Sequence, residues 1–217
     1  LGVGSGSHAE QTAAVMVGLE KVFLARRPAL VNVVGDVNST MAAAIVAAKL
    51  HIPVAHTEAG LRSRDWSMPE EVNRAVTDVL SDLLLTPSAD ADENLLAEGK
   101  PKERIVRVGN VMIDTLFMNL ERAKERDVPK ELGLEHGRYA VITLHRPSNV
   151  DDAETFGRIS EALLELANEL PVVFPVHPRT RKQMEGFGLL ARWERHPNVR
   201  LVEPLGYVEF LSLTSRA

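Results

Sequence analysis

Short apolar stretches alternate with longer amphipathic stretches along almost the whole chain of 217 residues. The apolar stretches are mostly continuous, which is typical of parallel strands covered on both faces. Strand–helix–strand units with right-handed crossovers form an open, doubly wound sheet, so we predict an α/β fold. The predicted strands cover residues 30–35, 52–57, 83–86, 105–108, 139–144, 172–176 and 199–202; the predicted helices cover residues 8–26, 39–50, 69–82, 89–98, 111–125 and 152–170, with a last helix from residue 207.

A polar stretch, residues 126–138, interrupts this alternation and separates the strands into two sets. It contains Pro129, Gly133 and Gly137, which favour turns and loops. We therefore predict two Rossmann-like domains, residues 1–109 and residues 110–217. The chain starts in a Gly-rich run and stops inside a predicted helix, so we expect both domains to be incomplete.

Composition excludes several classes of function. The net charge is −5 and neither half of the chain is basic, so we expect no nucleic-acid partner. The most apolar stretch, residues 41–50, is interrupted by Lys49 and is far shorter than the ~20 residues that span a bilayer, so we expect no membrane span. The chain has no Cys, which excludes disulfides and Cys-based metal centres.

Polar side chains follow several of the predicted strands. Asp36 follows the first strand, Glu58 follows the second, and His145 and His177 each follow a strand of the second domain. Ligands of open parallel sheets bind beyond the carboxyl ends of the strands. These four side chains therefore lie at the expected functional edges of their sheets.

The same residues also have purely structural explanations. Asp36 could end a turn, Glu58 could be a solvated loop carboxylate, and Glu70 lies in the first turn of a helix, where the helix dipole alone favours an acid. His145 and His177 could be ordinary turn or core histidines. The sequence contains no dinucleotide-binding fingerprint, P-loop or nucleophile elbow to decide between these explanations.

Six short segments, taken in order, carry more information. They are GDVNST (35–40), HTEAGLR (56–62), PEEVNR (69–74), GNVMID (109–114), LHRPSNV (144–150) and PVHP (175–178). Together they resemble the non-hydrolysing UDP-N-acetylglucosamine 2-epimerases of bacteria and archaea, over essentially the whole chain. The resemblance implies the GT-B architecture, with UDP held in the interdomain cleft and neither NAD nor a metal as cofactor. Two segments of the family, an upstream Gly-Thr-Arg-Pro-Glu loop and a downstream Asp-Ser-Gly-Gly segment, are missing, so we expect residues 1–217 alone to be inactive.

The resemblance also implies a reaction, the interconversion of UDP-GlcNAc and UDP-ManNAc. Family members eliminate UDP across C1–C2 of the sugar and add it back with the C2 proton on the other face. This chemistry needs a base, an acid and stabilisation of the departing diphosphate. By resemblance, Asp36, Glu58 and Glu70 form the acid/base group and His145 lies at the diphosphate. The substrate-binding residues that the resemblance carries over are Arg62, Arg74, Arg146, His177 and, through its main chain at the uracil, Phe210.

Three alternatives remain open at this point. A hydrolysing epimerase would release ManNAc and UDP, although such enzymes usually carry Gly-Gly-Glu where this chain has Glu58-Ala59-Gly60. A GT-B glycosyltransferase would need an acceptor pocket, and a non-catalytic chain would only bind nucleotide sugars. The expected partners are UDP-GlcNAc and UDP, with the oligomeric state open, a homodimer included. We expect a cytoplasmic location and a role in cell-envelope polysaccharide synthesis.

Overall fold

The computed structural model describes residues 1–4 and 6–217 and divides the chain into two compact units, Leu1–Ile113 and Asp114–Ala217. The sequence placed this division between residues 109 and 110, just before the helix Val111–Arg126 that spans it. Each unit contains its own parallel β-sheet. Within the described residues, no helix is both long and apolar enough to cross a bilayer.

The first unit has a four-stranded sheet with strictly sequential order, β1-β2-β3-β4, and all strands are parallel. Every predicted element of this unit is present, with bounds within two residues of the prediction. The strands are β1 (Val31–Val34), β2 (Val54–Thr57), β3 (Leu83–Thr86) and β4 (Ile105–Arg107); the helices are α1 (His8–Arg26), α2 (Asn38–Lys49), α3 (Pro69–Leu80) and α4 (Ala89–Ala97), with a 3-10 turn over Lys102–Arg104. Helix α5 (Val111–Arg126) begins in this unit and continues into the second.

The core of this unit is built around the Ala-rich helix α2. Ala42, Ala44 and Ala47 are fully buried, and their small side chains let α2 lie close to its neighbours. Ala44 and Ala47 belong to one apolar cluster with Phe23 of α1 and Val54 of β2. Helices α1, α2 and α3 pack side by side in that order. The amino end of α3 and the loops after β1 and β2 therefore lie at the same edge of the sheet.

The second unit has a three-stranded parallel sheet with the order β5-β6-β7. Its core contains the fully buried side chains of Phe156, Phe174 and Trp193, and the Trp193 indole N–H donates to Ser160 Oγ at 2.5 Å. The strands are β5 (Ala140–Val141), β6 (Val172–Pro175) and β7 (Val199–Val202); the helices are α6 (Val128–Glu131), α7 (Pro147–Val150), α8 (Ala153–Leu166), α9 (Pro178–Gly186), α10 (Leu190–Arg195) and α11 (Tyr207–Thr214).

The predictions for the second unit need three corrections. The strand predicted over 139–144 is a strand only at Ala140–Val141, and beyond it the Leu144 carbonyl accepts a hydrogen bond from the Thr180 hydroxyl rather than from the sheet. The helix predicted over 152–170 ends at Leu166; residues 167–169 form turns, and the Ala167 carbonyl accepts the Asn198 side-chain amide at 2.9 Å. Helices α6, α7, α9 and α10 were not predicted; the first three have Pro in their first turn, a position that Pro favours.

Candidate active site

The loops that follow β1 and β2 carry Asp36 and Glu58, and they touch each other. The Gly35 N–H donates to the Thr57 carbonyl at 3.0 Å. A Cβ built at Gly35 would lie 3.5 Å from Oε2 of Glu58, so the Glu58 carboxylate reaches the loop that carries Asp36. Both carboxylates lie at the carboxyl edge of the first sheet, where the sequence argument placed them.

Glu70 lies in the first turn of α3, which begins at Pro69. A pocket of about 310 Å³ is lined by both Asp36 and Glu70. The other lining residues come from the amino-terminal segment, α1, the start of α2 and α3: Val3, Gly4, His8, Gln11, Val15, Val37, Asn38, Ser39, Pro69 and Asn73. Two of the three predicted acid/base residues thus share one pocket, and the third reaches the adjoining loop. Among the described residues, no cluster of three or more His, Asp or Glu side chains could hold a metal ion.

The backbone of the Glu58 turn is strained. Glu58 has φ of 72°, in the left-handed region, and its N–H and that of Ala59 both donate to the Leu85 carbonyl, at 3.0 and 3.1 Å. Such a conformation costs about 1–3 kcal/mol for a residue with a side chain and is concentrated at functional sites. Gly60 follows with φ of 81°, and a Cβ there would lie 2.4 Å from the Ala91 carbonyl oxygen. The turn that presents Glu58 therefore has almost no freedom.

Arg74 was predicted to bind substrate, but the structure gives it two carboxylate partners within its own unit. Its Nη2 donates to Asp36 Oδ2 at 2.5 Å, and its Nη1 lies 3.0 Å from Glu71 Oε2. The guanidinium side chain is only 17% exposed. In this structure Arg74 orients Asp36.

Asn73 was not singled out by the sequence analysis. Its side chain binds the main chain of the loop that carries Asp36. Its side-chain amide donates to the Asp36 carbonyl at 2.8 Å and to Asn38 Oδ1 at 3.3 Å. Because Asn73 and Arg74 are neighbours in α3, this one helix fixes both the backbone and the carboxylate of Asp36.

Glu71 is a buried carboxylate that closes the loop before α3. Its oxygens accept the N–H groups of Ser63 and Arg64, each at 2.9 Å, in addition to the Arg74 guanidinium. Burial by itself raises the pKa of Glu71, but these hydrogen bonds to the charged form outweigh it and lower the pKa to about 2. Glu71 is therefore a structural anion.

Replacing Glu71 by Gln is expected to lower the free energy of unfolding by about 3 kcal/mol at pH 7, since a fall in pKa from 4.5 to about 2 corresponds to that much. The folded-state pKa is depressed, so this contribution is complete above about pH 5 and is lost as the pH falls toward 2. Urea unfolding should show that the difference in the free energy of unfolding between wild type and Glu71→Gln falls from about 3 kcal/mol at pH 7 to about 1 kcal/mol at pH 3. Glu93→Gln, at an exposed position of α4, is the control and should change stability by less than ~0.5 kcal/mol. A gap that stays constant with pH would contradict the prediction.

Arg62 was also predicted to bind substrate, and its guanidinium is likewise committed within the first unit. It donates through two nitrogens to the Glu98 carboxylate, each at 2.7 Å, and its Nη1 lies 2.8 Å from Asp78 Oδ2. Its side chain is 7% exposed. In this structure Arg62 ties the loop after Glu58 to α3 and α4.

The second unit presents His145 and His177 near each other, both exposed, with ring centroids 6.4 Å apart. His177 precedes α9, and its Nδ1 accepts the Arg179 N–H at 3.2 Å, which leaves Nε2 to carry the hydrogen of the neutral ring. Arg146 is exposed and precedes α7. A helix amino terminus beside imidazole and guanidinium groups suits an anion.

Phe210 lies in α11 and is partly buried. Its main-chain N–H donates to the Gly206 carbonyl at 2.8 Å, and its carbonyl accepts the Thr214 hydroxyl at 2.9 Å. The main chain that the resemblance assigns to uracil is thus already hydrogen-bonded within the helix, although a carbonyl oxygen has two lone pairs. The uracil contact stays a prediction.

The family model described as UDP-N-acetylglucosamine 2-epimerase matches residues 1–217, the whole chain. The chain belongs to this family. The curated UDP-N-acetylglucosamine 2-epimerase of Methanocaldococcus jannaschii is 40% identical over 222 residues, covering 100% of this chain and 61% of that protein. The UDP-2,3-diacetamido-2,3-dideoxy-D-glucuronate 2-epimerase of Pseudomonas aeruginosa is 41% identical, covering 100% of this chain and 59% of that protein. The chain thus spans about 60% of the length of these epimerases.

Solved epimerase structures resemble the chain throughout its length. The crystal structure of the M. jannaschii UDP-GlcNAc 2-epimerase in complex with UDP-GlcNAc and UDP aligns with a TM-score of 0.89 and 41% identity, covering 100% of this chain and 61% of that one. The Neisseria meningitidis enzyme bound to UDP-GlcNAc aligns with a TM-score of 0.88 and 32% identity, covering 98% and 59%. These similarities confirm the predicted α/β fold class, with two Rossmann-like units of the GT-B type.

Proposed function

We propose that the natural protein inverts C2 of a UDP-linked 2-acetamido sugar, interconverting UDP-GlcNAc and UDP-ManNAc without hydrolysis. The observation that carries the proposal is the group of three carboxylates held at one edge of the first sheet: Asp36 and Glu70 in one pocket, and Glu58 on the adjoining strained turn. Carboxylates at fixed positions around a sugar can remove a proton from one side of a carbon and return it from the other.

The reaction must begin by breaking two bonds, because C2 is not next to a carbonyl and its proton is only weakly acidic. One carboxylate takes the C2 proton, the C1–O bond breaks, and the electron pair of the C–H bond forms the C1–C2 double bond of a 2-acetamidoglucal as UDP leaves. A second side chain, in its protonated carboxylic acid form, then donates its proton to the opposite face of C2. The electron pair of the double bond forms the new C–H bond, and a UDP oxygen bonds to C1 again. Asp36, Glu58 and Glu70 supply the base and the acid.

The departing diphosphate needs positive charge and hydrogen-bond donors. We assign to it His145 and Arg146, exposed just before α7, and His177, exposed at the amino end of α9. We assign the uracil to the main chain near Phe210. For Arg62 and Arg74 the contacts support a revised role: they act through Asp78 and Asp36 rather than on the substrate.

A second substrate deserves a direct test, since the P. aeruginosa relative named for a diacetamido glucuronate is as similar to this chain as the M. jannaschii relative. Both substrates carry a 2-acetamido group at the reacting carbon and UDP at C1, so the same carboxylates serve either one. Measuring kcat/KM for UDP-GlcNAc and for UDP-2,3-diacetamido-2,3-dideoxy-D-glucuronate distinguishes the two substrates. If kcat/KM is ~10²-fold or more higher for the glucuronate, the glucuronate and not UDP-GlcNAc is the substrate.

Turnover of UDP-GlcNAc in heavy water by the complete natural protein tests the reaction itself. We expect NMR to show UDP-ManNAc, with deuterium at C2 of both sugars, because the abstracted proton exchanges with solvent. Positional isotope exchange of the C1–O bond should accompany it. Free ManNAc with UDP would identify a hydrolysing enzyme, and binding without turnover a non-catalytic protein. Epimerisation that retains the C2 hydrogen would contradict elimination.

A further inference from the structure

A buried ionic cluster that the proposed reaction does not use lies beneath the Glu58 turn. The side chains of His56 and Asp78 are both 0% exposed, and Nδ1 of His56 lies 2.6 Å from Asp78 Oδ1. The other oxygen of Asp78 accepts the Gly60 N–H at 3.1 Å and lies 2.8 Å from Arg62 Nη1. Burying such groups is costly, and an apolar replacement often gives equal or better stability. The cluster therefore calls for an explanation other than stability.

The second nitrogen of His56 extends the cluster to the other catalytic loop. Nε2 lies 2.8 Å from the carbonyl oxygen of Gly35, and Gly35 is the residue before Asp36. A carbonyl oxygen can only accept, so Nε2 donates a hydrogen to it, just as Nδ1 donates to the Asp78 carboxylate. His56 itself belongs to β2, two residues before Glu58. Through one imidazole, the Asp78 carboxylate is connected to the loop of Asp36.

Asp78 thus contacts both loops from a single position on α3. Its Oδ2 anchors Gly60 at the end of the Glu58 turn, and its Oδ1 reaches the Asp36 loop by way of His56. The turn it anchors is the one with Glu58 at φ of 72°, a conformation that persists only when its surroundings hold it. Without Asp78, the turn would be free to relax and carry the carboxylate with it.

We propose that Asp78 is a positioning residue that, through His56 and the Gly60 N–H, fixes the Glu58 and Asp36 loops for the acid/base steps. This inference rests on the epimerisation proposed above. A displacement of about 1 Å at a reacting group can lower the rate by ~10²-fold, so a side chain that never touches substrate can still govern kcat.

The kinetic test compares three variants at neighbouring positions in the complete natural protein. Asp78→Ala removes every contact of the carboxylate, so kcat for UDP-GlcNAc should fall at least ~10-fold while KM changes less than ~3-fold. Asp78→Asn keeps the shape: its amide oxygen can accept from Gly60 and Arg62 while its amide nitrogen donates to a neutral His56, so it should recover part of kcat. Thr77→Val is the control, because the buried Thr77 hydroxyl donates only to the Asn73 carbonyl within α3.

Several results would overturn the proposal. One is a kcat for Asp78→Ala within ~3-fold of wild type. Another is an equal loss of kcat in Thr77→Val at the same change in melting temperature, which would mean that general destabilisation is responsible. An equal loss of kcat in Asp78→Asn and Asp78→Ala would show that charge rather than geometry matters.

If Asp78→Ala does not fold, the variant His56→Gln decides. The Gln side chain cannot reach both Asp78 and Gly35, so kcat should fall with little change in KM. An unchanged kcat in His56→Gln would overturn the proposal.

Amide hydrogen exchange tests the anchoring whether or not the protein is an epimerase. The Gly60 N–H donates to Asp78, so its exchange should become at least ~10-fold faster in Asp78→Ala and stay unchanged in Thr77→Val. If wild type does not epimerise, the proposed function fails while this measurement still applies. Unaltered exchange at Gly60 in Asp78→Ala would overturn the anchoring itself.

Discussion

Asp36→Asn, Glu58→Gln and Glu70→Gln are each expected to lower kcat at least ~10²-fold in the complete natural protein, the lower end for loss of a general acid or base. Each substitution keeps the size and a hydrogen-bonding oxygen of the side chain but prevents it from taking and returning a proton. The measurement is initial-rate kinetics with UDP-GlcNAc, together with solvent deuterium incorporation at C2.

Asp90→Asn and Glu93→Gln are matched controls, since both lie on the exposed part of α4 in the same unit. They should leave kcat within ~2-fold of wild type, as surface substitutions away from a site usually do. Asp36→Asn also weakens the ion pair with Arg74, so its unfolding curve must be measured alongside. Near-wild-type turnover in any one of the three variants would assign that residue to a structural role.

Gly60→Ala is expected to be the most damaging small substitution in the first unit. The added Cβ would lie 2.4 Å from the Ala91 carbonyl oxygen and 2.9 Å from a Leu95 methyl carbon, at a residue with φ of 81°. The left-handed backbone costs about 1–2 kcal/mol for a residue with a Cβ, and overpacking typically adds 1–3 kcal/mol. We expect a loss of about 3 kcal/mol or more in urea unfolding, with turnover impaired because Glu58 lies two residues away.

Gly99→Ala separates these two costs. Gly99 has nearly the same φ, 80°, but a Cβ there would have nothing within 4 Å. It should therefore lose only the backbone contribution, about 1–2 kcal/mol. Equal losses in Gly60→Ala and Gly99→Ala would mean that the Ala91 carbonyl moves aside and that the Glu58 turn is less constrained than its contacts indicate.

Much of the fold could be predicted because its signals are local. Continuous apolar strands, Pro69 at the start of α3 and the position of side chains after strand ends are all visible in the sequence. Asp36 and Glu58 follow from such signals. Glu70 does not, because a carboxylate in a first helical turn is favoured by the dipole alone, and only the family resemblance distinguishes it.

The residues that hold the candidate site in place could not be predicted from such local signals. In α3 the apolar positions Val72 and Val79 are exposed, whereas Glu71, Asn73 and Asp78 are buried. Of the apolar residues in α3, Leu80 packs against the core, but the most buried positions of the helix are polar, so hydrophobic periodicity does not reveal them. The partners of the buried groups, such as His56 for Asp78 and Ser63 for Glu71, are fixed by tertiary structure and leave no pattern in the sequence.

Helix α3 is also constrained in length. An α-helix turns about 100° and rises ~1.5 Å per residue, so one extra residue inside it rotates everything beyond the insertion out of register. If Glu70 keeps its place at the pocket, an insertion between Glu70 and Asp78 rotates Asp78 about the helix axis. The Asp78 carboxylate would then lose its contacts with Gly60 and Arg62. Residues 65–67, just before the helix, are exposed. Natural variation in chain length is therefore expected in that loop and not within the nine residues from Glu70 to Asp78.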